Sequence, residues 1–571
     1  MSILTQIQTD FPTSEAYSLQ KGVKLLKIND LQGETQLAAI SQTITENGYS
    51  IYDEWQDHGS LFITYTKGEE ALYLTYHEKS NTLRLITDST QSLPPRRKND
   101  EISASTEAGE GQQTAPLCTP LLTQGRLMYY AYDCGMLYII RLTDGRFVVI
   151  DGGMCEYEEA EHFLDLLDQQ NITGNKPTIA AWFITHPHDD HFNLFANVML
   201  HYQDRIRLES LVYSWAIPEY ASQGSDKTEF NKAIEALDSN VKIIQPHTGQ
   251  RFEYGGATIN ILYTHEDACP EFLSNVNDTS IVMRMDLDEQ AEAGNRRIIF
   301  FGDAMFGTAE RLCDSYAPET LQCEIMQVAH HGYSGGSDRL YRTVDPKAIL
   351  WPAPDYWFQT VQHQDCNYFL THSEKAEALF IGGRHEVTLD LSQPIQTINP
   401  YEKQDNAQPG DVLYEEDFTG ECIYDLNWSA INTGRTDYVS AKLTLQKGSC
   451  RLVAGEHHSM GELMQPGMLR KAQNWTLNMS GHAKRAGMIA LFWNYANPSE
   501  YNDAEALRLP VQDGEDFDIE FIVKGDVGKA MLKNKGELIE ELTFTPSQHK
   551  GLYLILQNAD ITLNHIKVVK N

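Results

Sequence analysis

No stretch of about 18 consecutive apolar residues occurs anywhere in this chain of 571 residues, so nothing in it reads as a membrane-spanning helix and no membrane partner is expected. Close cysteine pairs are missing too. The nine cysteines, at 118, 134, 155, 269, 313, 323, 366, 422 and 450, never fall in a CxxC, which removes the usual thiolate zinc knuckle and suits reduced thiols. Positive charge is scarce, with 45 Lys and Arg against 80 Asp and Glu and a net charge of -35. Such a chain repels polyanions at long range, which weighs against a nucleic-acid partner. The opening segment MSILTQIQTDFPTSEAYSLQKG has neither a basic patch nor an apolar core, so no secretory address is read there and the expected location is cytoplasmic.

The length calls for several domains, at roughly 100–200 residues each. In residues 1–88, Leu37, Ile40 and Ile44 recur at helical spacing before Asn47 and Gly48, and LFITYT, ALYLTYH and LRLITD follow as strands. That pattern predicts a small α+β accessory domain. Residues 89–117 are rich in Ser, Pro, Gly, Glu and Gln, a composition that cannot bury enough surface to fold, and are expected to be a disordered linker. Residues 118–397 change character: apolar strands such as FVVID, TIAAWFIT, IIFFGD and AILWPA alternate with helical segments, as in sheets covered on both faces. A polar stretch at 398–411 reads as a second linker. Residues 412–571 are short alternating segments separated by turn residues, the pattern of an all-β sandwich. Its EEDFTG opening and ITLNHIKV closing resemble jelly-roll and carbohydrate-binding modules.

The densest chemistry lies in AWFITHPHDDHFNL. His186, His188, Asp190 and His191 place four ligand-capable side chains within six residues, directly after an apolar strand and before a helix. Pro187 keeps the preceding residue extended, so that His186 and His188 project to one side while Asp190 and His191 fall on the turn into the helix. Imidazole and carboxylate donors suit Zn(II), with Mn(II) or Fe(II) as alternatives.

FVVIDGG upstream supplies Asp151, Gly152 and Gly153, IIFFGDAMF supplies Asp303, and IMQVAHHGYSGG supplies His330 beside His331. With these segments in this order, roughly half the chain resembles the metallo-β-lactamase superfamily of metallo-hydrolases. The resemblance implies an αβ/βα sandwich over 118–397 and two bound ions held by His186, His188, Asp190, His191, Asp303 and His330. His330 is preferred to its alternate His331 because it directly follows the strand. Asp303 would bridge the ions, and Asp190, Asp303 and Asn277 would carry catalytic roles. Asp151 would brace the loop or orient a ligand, and Asp189 receives no role. The chain departs from many members in having Asn277 and Asp278 where another histidine is usual. Together with Ser280 and the HHG triplet, this resembles the subgroup containing the hydrolase domain of DNA-uptake channel proteins and phosphorylcholine esterases.

The implied reaction is hydrolysis by metal-activated water, on a phosphodiester or phosphorylated small molecule, or on a polymer carrying one. A lactone, lactam or other ester is the alternative substrate class. A reading from a different class makes the protein a glycan-binding module with a degenerate metal site, its Trp428, Trp475 and Trp493 stacking on sugar. The remaining histidines, His77, His162, His201, His247, His385, His457 and His458, read as structural or solvated. Tyr333 and Ser334, just after the HHG, are candidate pocket residues, as are His363, Asp365, Tyr368 and His372, although a surface loop explains the latter four equally well.

Overall fold

The computed structural model of the chain describes residues 2–20, 22–31, 33–95, 118–125, 135–155, 159–287, 296–353, 357–358, 361–362, 364–372, 376–383, 386–396, 407–420, 426, 442–455, 458–464, 474–494, 503–546 and 552–571. Most of the two expected linkers, at 96–117 and 398–406, lies outside the described residues, as do Cys134, His363, His385, Cys422, Trp428 and His457.

The N-terminal region is one antiparallel sheet in the order Glu15–Gln20, Val23–Asn29, Thr82–Ser89, Glu70–His77, Ser60–Lys67, Ser50–Asp57. Helix Gly33–Glu46 buries Leu37, Ile40 and Ile44 on one face of it, beside Ile3, Leu4 and Ile7 of helix Ile3–Asp10. The other face docks on the central region. Trp55 Nε1 donates to Gly249 O (2.8 Å), Arg251 Nε to Asp53 (3.1 Å), Thr75 Oγ1 to Thr248 O (3.0 Å) and Lys79 Nζ to Tyr316 O (2.9 Å). Residues 89–95 are not the start of a linker: Ser89 completes a strand, Thr90–Ser92 form a 3-10 turn, and Ser92 and Leu93 are buried.

The central region is two facing sheets with helices outside. The first runs Lys242–Ile244, Ser210–Tyr213, Thr178–Ile184, Phe147–Asp151, Leu137–Arg141, Leu121–Gln124, Val387–Asp390; the second runs Arg251–Tyr254, Ala257–Tyr263, Val282–Leu287, Arg297–Phe300, Ile325–Gln327, Ala348–Trp351, Ala378–Ile381. Alternate side chains of each strand serve different layers. Val148, Ile150, Ala181 and Phe183 meet Ile259, Ile261, Met283, Ile298 and Phe300 between the sheets. Val149, Trp182 and Ile184 point the other way, to Phe163 and Leu167 of helix Glu159–Gln170 and to Phe192 and Phe195 of helix Asp189–His201. Both faces are dry, which is why these strands read as continuous apolar runs.

The C-terminal region packs an eight-stranded sheet, with Asp560–Lys570 and Asn474–Arg485 at its centre, against a four-stranded one, His458–Met464, Leu552–Gln557, Gly487–Trp493, Leu507–Val511. Strand Glu515–Lys524 shows the one-sided pattern: Phe517, Ile519, Phe521 and Val523 enter the core and the residues between them face outward. Trp475 and Trp493, offered above as sugar-stacking residues, are 1 % and 3 % exposed and fill that core. Neither presents a ring face to a ligand.

Candidate metal centre

The site forms where strands from both sheets end. Strand Phe147–Asp151 ends on Asp151, Thr178–Ile184 runs into Thr185 and His186, Arg297–Phe300 leads to Asp303, and Ile325–Gln327 leads to His330 and His331. Strand ends are where side chains from several parallel neighbours converge on one edge, since each chain must turn away there. Three of these residues hold left-handed backbone, Asp151 (φ 56°), His330 (φ 50°) and His331 (φ 54°). That conformation costs a non-glycine residue of order 1–3 kcal/mol and persists where surrounding structure enforces it. Gly302, at φ +54°, has no alternative: a Cβ there would lie 2.9 Å from both Cβ and Oγ1 of Thr185.

Two donor clusters share Asp303. In one, Asp190, His191, Asp303 and His331 converge, all buried. His191 Nε2 lies 3.5 Å from Asp190 Oδ2 and 3.3 Å from Asp303 Oδ2; His331 Nε2 lies 3.2 Å and 3.6 Å from the same two oxygens. A tetrahedral ion with bonds of about 2.0–2.2 Å holds neighbouring ligand atoms about 3.3–3.6 Å apart. The other cluster is His186, His188 and Asp303, with His186 Nε2 3.0 Å from His188 Nδ1 and 3.7 Å from Asp303 Oδ2.

The donors are aimed and free. His191 Nε2, His331 Nε2 and Asp303 Oδ1 are buried with no hydrogen-bond partner among the described residues. Buried polar atoms are normally paired, so two inward-facing imidazole nitrogens and a carboxylate oxygen left without partners suit a bound metal ion. The opposite edges of the rings are fixed. Asp151 accepts from His191 Nδ1 (2.8 Å), Thr185 N (2.8 Å) and Thr185 Oγ1 (2.9 Å). Because the Thr185 hydroxyl gives its proton to Asp151, it accepts from His186 Nδ1 at 3.1 Å. His331 Nδ1 donates to Pro352 O at 2.8 Å. His191 and His331, when neutral, therefore present a bare Nε2 inward, the tautomer a metal requires, while the unprotonated Nε2 of neutral His186 accepts from His188 Nδ1 at 3.0 Å.

The electrostatics agree. Burial pushes His191 and His331 down, but Asp303 and Asp190 outweigh it, raising His191 well above the ordinary imidazole range and His331 to about 10. Burial pushes the Asp303 carboxyl up, but His191 and His331 hold it well below the ordinary carboxylate range. The pocket is built for positive charge, which protons or divalent ions supply. The donor set fits the implied ions.

Of the two candidates, the geometry brings His331 and not His330 into the buried cluster. His330 Nε2 is 3.9 Å from Asp303 Oδ2 and accepts from Asn277 Nδ2 at 3.0 Å, while His331 joins the buried cluster. With both residues left-handed, the chain coils after the strand, so the residue next to the strand turns outward and the second turns in. Asn277 sits beside His330 with its Oδ1 buried and unpaired among the described residues. Asp278 is structural: Oδ1 accepts from Met305 N and from Thr308 N and Oγ1, holding the start of helix Phe306–Ser315. Asp189 accepts from Ser225 Oγ at 2.9 Å. Tyr333 is 48 % exposed and its ring lies 5.8 Å from that of His330 and 5.2 Å from that of Trp357, at the rim of the site.

Sequence reasoning missed the residues that place Asp303. Gln327 accepts from Phe301 N at 2.6 Å and donates to Gly302 O at 2.9 Å, and Ser280 Oγ accepts from Asp303 N at 3.0 Å. The signal was a glutamine inside the apolar strand IMQ, where an amide is tolerated only when paired.

Residues 135–266 match the family described as the metallo-beta-lactamase superfamily. The central region carries a metallo-beta-lactamase superfamily domain. The matched span contains Asp151 and His186 to His191 and ends before Asp303 and His331, so the second half of the candidate metal centre rests on geometry alone. No curated protein matches the chain. Among solved structures, the metallo-beta-lactamase fold protein YhfI from Bacillus subtilis is 12 % identical, covers 46 % of this chain and 96 % of its own, and has a TM-score of 0.30. CmlA, a diiron beta-hydroxylase from Streptomyces venezuelae, is 10 % identical, with 51 % and 59 % covered and a TM-score of 0.29. A Bacillus subtilis protein of unknown function with a galectin-like fold is 12 % identical over 28 % of this chain and 97 % of its own, with a TM-score of 0.21. At these TM-scores none of the three bears on function.

Proposed function

We propose that the protein is a metal-dependent hydrolase acting on a phosphodiester or a phosphorylated small molecule. The observation that carries this reading is the pair of donor clusters meeting at Asp303, one of them with ligand atoms spaced for a tetrahedral ion. Divalent ions bound there supply a nucleophilic water at neutral pH and polarise the bond under attack. The chain's own groups do the positioning. Asp151 and the Pro352 carbonyl keep His191 and His331 turned inward, Gln327 and Ser280 fix the turn that presents Asp303, and burial of the whole set excludes bulk water. Asn277, on the outer side of His330, offers an amide to a substrate oxygen in place of the histidine many family members have. The phosphorus substrate class is supported by the resemblance of Asn277, Asp278, Ser280 and the HHG triplet to the DNA-uptake and phosphorylcholine esterase subgroup.

The test joins metal content to turnover. The full chain is expected to purify with about two equivalents of zinc, manganese or iron, and to hydrolyse an aryl phosphodiester or a phosphorylcholine ester in preference to a lactone or β-lactam. Asp303→Asn is expected to abolish both binding and turnover. A chain that takes up no divalent ion, or one equally active after Asp303→Asn, would sink the reading.

A further inference from the structure

Between the N-terminal sheet and the central region lies a cleft of about 190 Å³, walled by Lys27, Arg84, Tyr263, Asp267, Arg311 and Tyr316 among others. That is roughly the volume of six water molecules. Three cations from three different elements face into it: Lys27 from strand Val23–Asn29, Arg84 from strand Thr82–Ser89 and Arg311 from helix Phe306–Ser315. In a chain with a net charge of -35 this is an unusual concentration.

Carboxylates offset two of the three, since Arg84 pairs with Asp267 and Arg311 with Glu271, and Lys27 has no carboxylate partner among the described residues. Asp267 is taken by Arg84 (Nη1 to Oδ1, 2.9 Å) and also accepts from Thr248 Oγ1 at 2.6 Å and Thr264 N at 3.2 Å. Asp314 is paired with Arg339 at 2.9 Å. Arg311 bonds Glu271, whose side chain is 62 % exposed and therefore screened by water. Arg84 is buried, and its Nε has no partner among the described residues. Lys27 is half-buried and its ammonium reaches the Cys269 carbonyl at 3.5 Å. Burial first, then the Arg84 charge, hold it below the ordinary lysine range, with Arg311 adding to the effect and Glu15 opposing it.

We propose that this cleft is a binding site for a small phosphate-class anion, held by Lys27 and Arg311 with Arg84 behind them. Lys27 supplies the positive charge that no carboxylate offsets, guanidinium groups suit the geometry of phosphate oxygens, and the volume takes a phosphate with a small substituent. The site is built across a domain boundary, since Lys27 and Arg84 belong to the N-terminal region and Arg311 to the central one. A bound anion therefore clamps the two together. It also touches the far end of the helix that begins just after Asp303, and the Tyr263 hydroxyl in its wall donates to Asp278 O at 3.1 Å, next to Asn277. The proposal does not depend on the reaction at the metal centre.

The experiment is calorimetric titration of the full chain with inorganic phosphate at low ionic strength, where surface screening is weakest. Lys27→Met and Arg311→Gln test the cleft, and Asp303→Asn serves as a control for phosphate binding at the metal centre. The cleft site is expected in the wild-type chain and to persist in Asp303→Asn, weakened at least about tenfold by Lys27→Met and by Arg311→Gln. Phosphate is expected to raise the Tm of the wild-type chain and not that of Lys27→Met, because a ligand bound only by the folded state stabilises it. Without phosphate, Lys27→Met is expected to keep or raise the Tm by relieving repulsion. No binding at up to about 10 mM phosphate, or binding lost in Asp303→Asn and unchanged by the two cleft variants, would overturn the proposal. So would a fall in the Tm of Lys27→Met in phosphate-free buffer.

Discussion

Two buried histidine and carboxylate clusters lie in this molecule, made of the same residue types and put to different ends. At the metal centre, His191 and His331 face Asp190 and Asp303, yet their Nε2 atoms and Asp303 Oδ1 have no hydrogen-bond partner among the described residues. At the domain boundary, His247 is equally buried, and both its ring nitrogens are taken: Nδ1 by Glu266 at 2.9 Å and Nε2 by Asp88 at 3.2 Å. Asp88 comes from the N-terminal sheet and Glu266 from the central region, so His247 pins one to the other. Residue type does not separate a metal site from an ion-pair clamp. What separates them is whether the second nitrogen of each ring has been left over.

The largest effects should dissociate the two clusters. His331→Ala removes a ligand atom from the buried four, and hydrolysis is expected to fall by about three orders of magnitude, the worth of several kcal/mol of metal-supplied charge stabilisation. Its thermal stability in metal-free buffer should fall as well, because protonated His331 is paired there with buried Asp190 and Asp303. Glu266→Gln spares the metal centre: it leaves buried His247 with one carboxylate and is expected to cost about 3 kcal/mol of stability, with metal content and turnover essentially unchanged. Metal analysis, initial rates and denaturant melts on the two variants suffice. If Glu266→Gln lost metal, the contrast between the clusters would collapse.

A smaller effect, of opposite sign in the two regions, comes from pH. Burial pushes His247 down but Glu266 and Asp88 outweigh it, raising it from 6.5 to about 9. A folded value above the unfolded one means that the stabilisation is fully present below about 6.5 and lost as pH rises through about 9. The stability gap between wild type and Glu266→Gln is therefore expected to narrow by about 2 kcal/mol across that window, a tenfold difference in proton affinity being worth about 1.4 kcal/mol and Asp88 still holding part of the effect in the variant. Taking the difference between the two chains cancels the other titrating groups. Metal affinity should move the other way and rise over the same window, because His331, raised to about 10, must give up its proton to bind an ion. A gap that widens with pH would show that His247 is neutral in the folded chain.

Much of this was legible in the sequence, for a reason that also marks where reading stopped. Local patterns survive in sequence: Leu37, Ile40 and Ile44 announce a helix because they share one face, and His186 to His191 announce a ligand set because they are adjacent in the chain. The buried runs FVVID and TIAAWFI declared a two-sided sheet, since both faces of each strand are covered. What could not be read depends on distant partners. His247 looked like any lone histidine because Asp88 lies 159 positions away. Trp475 and Trp493 could be assigned to core or surface only once both sheets were in place. Gln327 was a visible anomaly in an apolar strand, but its targets, Phe301 N and Gly302 O, lie across the sheet.

The choice between His330 and His331 is the finest test of the same distinction, and its expected effect is the smallest. Position after the strand favours His330, while backbone geometry favours His331, because two consecutive left-handed residues swing the first ring outward to Asn277. His330 has both its nitrogens engaged, Nδ1 at Tyr333 O and Nε2 at Asn277, and unlike His186, whose nitrogens meet Thr185 and His188, it stands in neither donor cluster, so we do not count it as a ligand. His330→Ala is accordingly expected to leave metal content unchanged and to lower turnover by no more than about fivefold, roughly the worth of one net hydrogen bond. If His330→Ala instead lost an equivalent of metal, the ring would have to turn away from Asn277 when an ion is present. Free nitrogens in the metal-free chain would then be an incomplete guide to ligands, and His330 would be the nitrogen that replaces the histidine missing at Asn277.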